Sequence, residues 1–98
     1  MKKQALPLEL GSTLISRNFA DTIKEPHAEA NKALTFHRLG HWGKVKDPKV
    51  NDQAIEDEQN GLGSQRIFSV YTSMCGHDFW VITEHDRSAT TVMLPEDY

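Results

Sequence analysis

The sequence FWVIT at residues 79–83 carries the clearest structural signal in the chain. Its almost unbroken apolar character predicts a central β-strand that is covered on at least one face. Residues 66–72 (RIFSVYT) before it and residues 89–94 (ATTVML) after it also read as strands, with many β-branched or aromatic residues. Loops at residues 74–78 and 84–88 separate the three segments. The C-terminal third is therefore predicted to be a three-stranded antiparallel meander.

Two helices are predicted upstream of the meander. The first covers residues 27–39, where apolar residues recur with the helical period, and Gly40 suits its end because glycine adopts the left-handed conformation without steric cost. The second begins at Asp47 and Pro48, a capping residue followed by proline at the first helical position, and runs to residue 60. The sequence thus predicts a small α+β domain, with two helices packed on one face of a three- to four-stranded antiparallel sheet.

The N-terminal residues 1–25 are predicted to form an arm, and residues 26–98 the single α+β domain. Residues 12–17 (STLISR) contain a short β-prone segment that could be an edge strand, and a brief helical turn capped by Asn18 follows it. An exposed edge at residues 12–17 or at residues 89–94 could add a strand from a second copy. A homodimer formed through an edge strand is therefore one expectation.

Composition excludes several classes of protein. The 98 residues suit one domain, and the formal net charge of −3 offers no attraction for nucleic-acid phosphates, so no nucleic-acid partner is expected. The single cysteine, Cys75, cannot form an intramolecular disulfide, which is typical of a reducing cytoplasm. No apolar run approaches the roughly 18–20 residues that span a membrane, and the first residues do not form a signal-peptide core. The chain is expected to be cytoplasmic, without membrane association.

The densest group of polar side chains lies in the second loop of the meander, at Glu84, Asp86, Arg87 and Ser88. A pair of carboxylates can serve as general acid and base, and an arginine can bind an anion, so this turn could be a binding or catalytic surface. The same residues also suit a hydrogen-bonded turn, in which Asp86 and Ser88 bond to local backbone and Arg87 pairs with Glu84 or Asp52. The sequence leaves both interpretations open.

His37 and Trp42 complete the set of candidate binding residues. His37 precedes His41 by four residues, a spacing that can chelate zinc on a helix, but Gly40 between them is expected to end the helix and separate the two rings. Trp42 could stack on a ligand, although aromatic residues in such linkers more often pack in the core. A nucleophile set built on Ser69 is not favoured, because Ser69 lies in a strand rather than on a strained turn. No catalytic residue, metal or cofactor is predicted.

Three motifs stand out along residues 34–98: the box H-x-x-G-x-W-G at residues 37–43, the dipeptide Asn51-Asp52, and the run ITEHDRSATTVMLP at residues 82–95. Together they resemble a family of small uncharacterised proteins that occur on bacterial plasmids, prophages and other mobile elements. The resemblance implies a mobile-element habitat and a fold-sized unit, and it implies no reaction.

These observations support three functional hypotheses. The first is a non-enzymatic protein-interaction module, an accessory protein of a mobile element that could inhibit a host system. The second is a small hydrolase or nucleotide-binding enzyme that uses Glu84, Asp86, Arg87 and His37 in a common pocket. The third is a small ribonuclease toxin, which the acidic net charge disfavours because RNA must be attracted.

Overall fold

In the computed structural model, which describes residues 6–98, the chain forms three helices and a four-stranded sheet. The predicted α+β architecture is confirmed. Of the predicted N-terminal arm, residues 1–5 lie outside the described residues, and the rest supplies the first strand and the first helix. The elements in chain order are β1 (Ser12–Ile15), α1 (Arg17–Thr22), α2 (Pro26–Arg38), α3 (Pro48–Gln59), β2 (Ile67–Thr72), β3 (Asp78–Thr83), β4 (Ala89–Met93) and a 3-10 turn (Pro95–Asp97).

The sheet is mixed rather than wholly antiparallel, with the strand order β1-β4-β3-β2. The strands β2, β3 and β4 form the predicted antiparallel meander, but β1 runs parallel to β4, with Ser12 opposite Ala89 and Ile15 opposite Val92. The prediction of an antiparallel sheet is therefore wrong at this one pairing. The reason lies in the connection from β1 to β4, which contains all three helices and is long enough to bring a strand back in the same direction.

The position of β4 corrects a second expectation. This strand lies between β1 and β3, so residues 89–94 are not an exposed edge of the sheet. The segment at residues 12–17 does supply an edge strand, as expected, and it covers the side of β4 that a meander alone would leave open.

The helices begin and end close to their predicted limits. Asp47 caps α3, and its carboxylate accepts a hydrogen bond from the Lys49 N–H at 3.1 Å. The short helix α1 is capped by Ser16 rather than by Asn18, because the Ser16 hydroxyl accepts from the Phe19 N–H at 3.0 Å. Ser16 has the extended backbone of a capping residue as the chain leaves β1, whereas Asn18 already lies within the helix.

All three helices pack on one face of the sheet. Phe19 of α1 and Ala33 of α2 belong to one buried cluster with Phe79, and the two phenylalanine rings meet edge to face with centroids 5.0 Å apart. Ile55 of α3 belongs to a second buried cluster with Ile67. Burial of such side chains contributes roughly 25 cal/mol per Å² of apolar surface, so both clusters stabilise the packing of the helices on this face.

The other face of the sheet lies away from these clusters, and we call it the open face. Its rings form a chain in which Phe68 meets Trp80 and Trp80 meets Tyr98, both edge to face, with centroids 4.9 and 5.6 Å apart. At the β1 end, the Leu14 side chain is 53% exposed. The larger apolar side chains of the open face include Leu14, Phe68, Trp80, Met93 and Tyr98.

Candidate functional site

The turn between β3 and β4 is held together by its own residues. Glu84 donates its N–H to the Ala89 carbonyl at 2.9 Å, and Arg87 donates its N–H to the Glu84 carbonyl at 2.9 Å. The Asp86 carboxylate accepts from the Ser88 N–H at 3.0 Å. Hydrogen bonds from Ser88 hold the pKa of the Asp86 carboxyl below its ordinary value. Asp86 and Ser88 therefore close the turn in the way that such residues commonly do.

The Arg87 side chain is only 7% exposed and joins three parts of the chain. Its Nη1 donates to the carbonyls of Gln65 at 2.7 Å and Glu84 at 3.0 Å, and its Nη2 donates to the Glu58 carboxylate at 3.0 Å. Among the described residues, nothing accepts from Nε. Its backbone φ of 62° is left-handed, which is uncommon for a residue with a Cβ. The guanidinium is turned inward, and its ion pair is with Glu58 rather than with Glu84 or Asp52.

The grooves near this turn do not gather the candidate residues. A groove of about 520 Å³ is lined by Arg87, Arg38 and the segment 7–11. A second groove of about 910 Å³ lies beside α3 and the loop before β2. Neither groove is lined by Glu84 or His37. The pocket that the enzyme hypothesis requires is therefore not formed by either of them.

His37 is fully buried between α2 and the sheet. Its Nδ1 lies 2.5 Å from the Ser69 hydroxyl oxygen on β2, and its Nε2 lies 2.9 Å from the Thr83 hydroxyl oxygen on β3. The Thr83 oxygen is 2.7 Å from the Thr90 hydroxyl oxygen on β4, and the Thr90 hydroxyl donates to the Leu10 carbonyl at 2.8 Å. This polar chain, from Ser69 to Leu10, crosses three strands and ties the N-terminal segment to α2.

The directions of the bonds that lead from His37 to Leu10 follow from the last member of the polar chain. The Leu10 carbonyl can only accept, so the Thr90 hydroxyl donates to it and accepts from Thr83. Thr83 in turn accepts from His37, which places a ring proton on Nε2. Burial, followed by the charge of Arg87, lowers the pKa of His37 from 6.5 to about 4. The imidazole is therefore neutral near pH 7, and Nδ1, which then carries no proton, accepts from the Ser69 hydroxyl.

Trp42 is 5% exposed and packs edge to face on the His37 ring, with centroids 5.6 Å apart. Its indole N–H donates to the Asp52 carboxylate at 3.0 Å. Trp42 thus stands in the core, where it belongs to the second buried cluster with α3. His41, by contrast, is exposed and stacks on Phe36 at 6.0 Å, so the two imidazoles of the 37–41 pair do not share a surface.

The outer edge of β2 is closed by Asn51 and by residues 42–44. Asn51 donates its amide N–H to the Phe68 carbonyl at 2.6 Å and accepts from the Phe68 N–H at 3.2 Å. Backbone groups at residues 42–44 exchange hydrogen bonds of 3.2 and 2.7 Å with Val70. The sequence predicted no edge-closing role for these residues. The available signal was the place of Asn51 on the buried side of α3 beside Ala54, because a buried amide requires partners.

The outer edge of β1 has no such cover from residues 6–98. The N–H groups of Ser12 and Ser16 bond to carbonyls next to or within β4, at 3.0 and 2.9 Å. Alternate residues of a strand direct their backbone groups to opposite edges. The N–H and C=O groups of Thr13 and Ile15 therefore face away from the sheet, and no described residue bonds to them.

No protein-family model matches the chain, and neither the curated proteins nor the solved structures contain a match. The resemblance to the mobile-element family stays a prediction. Within the described part of the chain, no helix has the length and apolar character needed to cross a membrane. The same residues contain no group of three or more histidine, cysteine, aspartate or glutamate side chains placed to hold a metal ion.

Proposed function

We propose that this protein is a non-enzymatic protein-interaction module, which binds an extended segment of a partner protein along the free edge of β1. The contrast between the two edges of the sheet carries this proposal. Asn51 and residues 42–44 close the edge of β2, whereas Thr13 and Ile15 on β1 leave their outward backbone groups without partners among the described residues. An added strand would satisfy these groups, with backbone hydrogen bonds giving affinity and side chains giving selectivity.

The side chains around β1 support the same binding mode. Alternate side chains of an added strand would lie on the open face beside Leu14, which is 53% exposed. An exposed leucine on an unpaired edge strand favours pairing with another chain. Since β1 itself contains no charged residue, nothing in the strand repels an apolar partner segment.

The alternative, a small hydrolase or nucleotide-binding enzyme, has less support. It requires Glu84, Asp86 and Arg87 to face a substrate. The Arg87 guanidinium instead bonds to Glu58 and to two backbone carbonyls, and Asp86 bonds to Ser88 within the turn. These bonds would have to open before either group could bind a substrate or transfer a proton.

The resemblance to the mobile-element family adds a cellular context to this proposal. In that context the protein is an accessory protein of a plasmid or prophage. It acts in the bacterial cytoplasm and binds a protein of the host or of the mobile element. Inhibition of a host system through such binding is the specific form that we favour.

Affinity capture with three baits tests the proposal. The baits are the wild-type protein, Thr13→Pro and Thr13→Val, each presented to a bacterial lysate that also contains a second copy of the protein with a different tag. Proline removes the outward N–H at residue 13, whereas valine keeps it and changes only the side chain. We expect prey that the wild type and Thr13→Val retain and that Thr13→Pro loses. Prey retained equally by all three baits would contradict the proposal.

A further inference from the structure

The geometry points to a second copy of this chain as the segment that pairs with β1, in an antiparallel arrangement with a two-fold axis at Leu14. This inference rests on the proposed function and names its partner. At the outer edge of β1, the backbone groups without partners among residues 6–98 belong to Thr13 and Ile15. Pairing centred on Leu14 sets Thr13 of each copy opposite Ile15 of the other, and each such pair exchanges both of its N–H···O bonds. A register centred on Thr13 or on Ile15 would leave one of these residues without a strand partner.

The closed edge of β2 favours this symmetric pairing over a head-to-tail one. A strand that joined β2 would have to displace the Asn51 amide from Phe68 and residues 42–44 from Val70. Repeated pairing of β1 with β2 would build an open filament, whereas pairing of β1 with β1 closes after two copies. Among the described residues, β1 is therefore the edge strand whose central backbone groups lack partners, and a two-fold axis uses that edge in both copies.

Side chains near the axis also suit self-pairing. Leu14 would face Leu14 of the other copy in a non-hydrogen-bonded pair, the closer kind, with Cα atoms about 4.5 Å apart. Because β1 has no charged residue, no like charges meet across the axis. Beyond the strand, Arg17 is 95% exposed and would reach the end of the other copy at which the exposed Glu9 lies. Arg17 and Glu9 carry opposite charges, and Arg17 also lies 4.0 Å from Asp21 on its own helix.

Molar mass measured by light scattering over a concentration series tests this dimer in the full chain. We expect the wild type and Thr13→Val to approach twice the monomer mass. Thr13→Pro should raise the dissociation constant by on the order of tenfold or more, because each copy loses a backbone donor. Leu14→Lys sets like charges at the axis without changing the backbone, and it keeps the test decisive if the proline variant does not fold. A wild type that stays monomeric, or a dimer that neither variant weakens, overturns the inference.

A disulfide at the axis gives an independent readout. In a Cys75→Ser background, Leu14→Cys places two thiols in a pair with a Cα separation within the roughly 4.4–6.8 Å that disulfides require. We expect a covalent dimer on mild oxidation. Thr91→Cys is the matched control, because Thr91 is the neighbour of Leu14 on β4 and lies one strand away from the axis. Equal crosslinking at the two positions, or none at Leu14→Cys, contradicts the arrangement.

The inference and the proposed function can fail separately. A monomeric wild type that captures a foreign protein, and loses it on Thr13→Pro, overturns the second copy as partner and supports strand addition. A monomeric wild type whose prey are all insensitive to Thr13→Pro overturns both.

Discussion

Asn51 on α3 forms both hydrogen bonds that Phe68 offers at the outer edge of β2. Its amide N–H donates to the Phe68 carbonyl at 2.6 Å, and its amide oxygen accepts from the Phe68 N–H at 3.2 Å. The side-chain amide thus stands where the peptide group of a neighbouring strand would stand. A helix ends the sheet on this side, and the same contact fixes the position of α3.

Replacing this amide should destabilise the fold. Asn51→Ala is expected to lower the free energy of unfolding by ~1–3 kcal/mol, because both backbone groups of Phe68 lose their partners. Gln53→Ala is the control on the same helix: the Gln53 side chain is exposed and donates to the Asp57 side chain at 2.9 Å, so its loss should cost less than about 0.5 kcal/mol. Denaturant unfolding measures both. Equal losses in the two variants would show that the Asn51 contact does not hold the edge.

His37 should make the stability fall as the pH falls. The folded pKa is about 4, and an unfolded histidine has the ordinary value of 6.5. Below pH 6.5 the unfolded chain binds a proton that the folded chain binds only near pH 4, so protonation favours unfolding across this window. The contribution of the neutral ring is complete above pH 6.5, and on the order of 3 kcal/mol is lost by about pH 4.

Denaturant unfolding at a series of pH values across this window measures the effect. His37→Gln removes the titrating group, so its stability should change much less between pH 6.5 and about 4, although it starts lower because the polar chain is altered. His27→Gln, at an exposed position on α2, should keep the wild-type pH dependence. A wild-type slope that persists in His37→Gln would assign the effect to other groups.

The Arg87 side chain should stabilise the fold, rather than act only as part of a binding surface. Arg87→Lys is expected to lower the free energy of unfolding by ~2–3 kcal/mol, because one ammonium group cannot reach Gln65, Glu84 and Glu58 together. The control is Arg66→Lys, since the Arg66 ion pair with Glu84 is exposed and 3.4 Å long and is worth less than about 1 kcal/mol. Unchanged stability in Arg87→Lys, together with lost partner binding, would instead place Arg87 on the contact surface.

The elements that could be predicted from sequence are those with local signals. The Asp47 cap, the helix break at Gly40 and the apolar run at residues 79–83 each determine the structure of their own segment. The pairing of β1 with β4 has no such signal, because it joins residues 12–15 to residues 89–92 and depends on how three helices fold between them. Local patterns therefore predicted the meander and missed its parallel neighbour.

The candidate site illustrates the same limit. His37 was identified as a polar residue of interest, but Ser69, Thr83 and Thr90 each resemble ordinary strand residues in sequence. Only the register of the sheet brings the three hydroxyls into one chain with the imidazole. The ion pair of Arg87 with Glu58 was likewise not predictable from the sequence, because Glu58 reaches Arg87 only after α3 has packed beside the turn.

Gly43→Ala should destabilise the fold more than Gly61→Ala, although both glycines have similar left-handed φ values of 69° and 73°. A Cβ at residue 43 would overlap the Val70 carbonyl oxygen, whereas a Cβ at residue 61 meets nothing within 4 Å. Gly61→Ala therefore reports the backbone strain alone, about 1 kcal/mol. The additional loss in Gly43→Ala, ~1–3 kcal/mol, reports the separation of residues 42–44 from β2.

Faster amide exchange at Val70 should accompany this loss of stability, because the Val70 N–H bond to the Trp42 carbonyl would open. Equal losses in the two variants, with Val70 still protected, would mean that this segment closes the edge without the close approach that glycine permits.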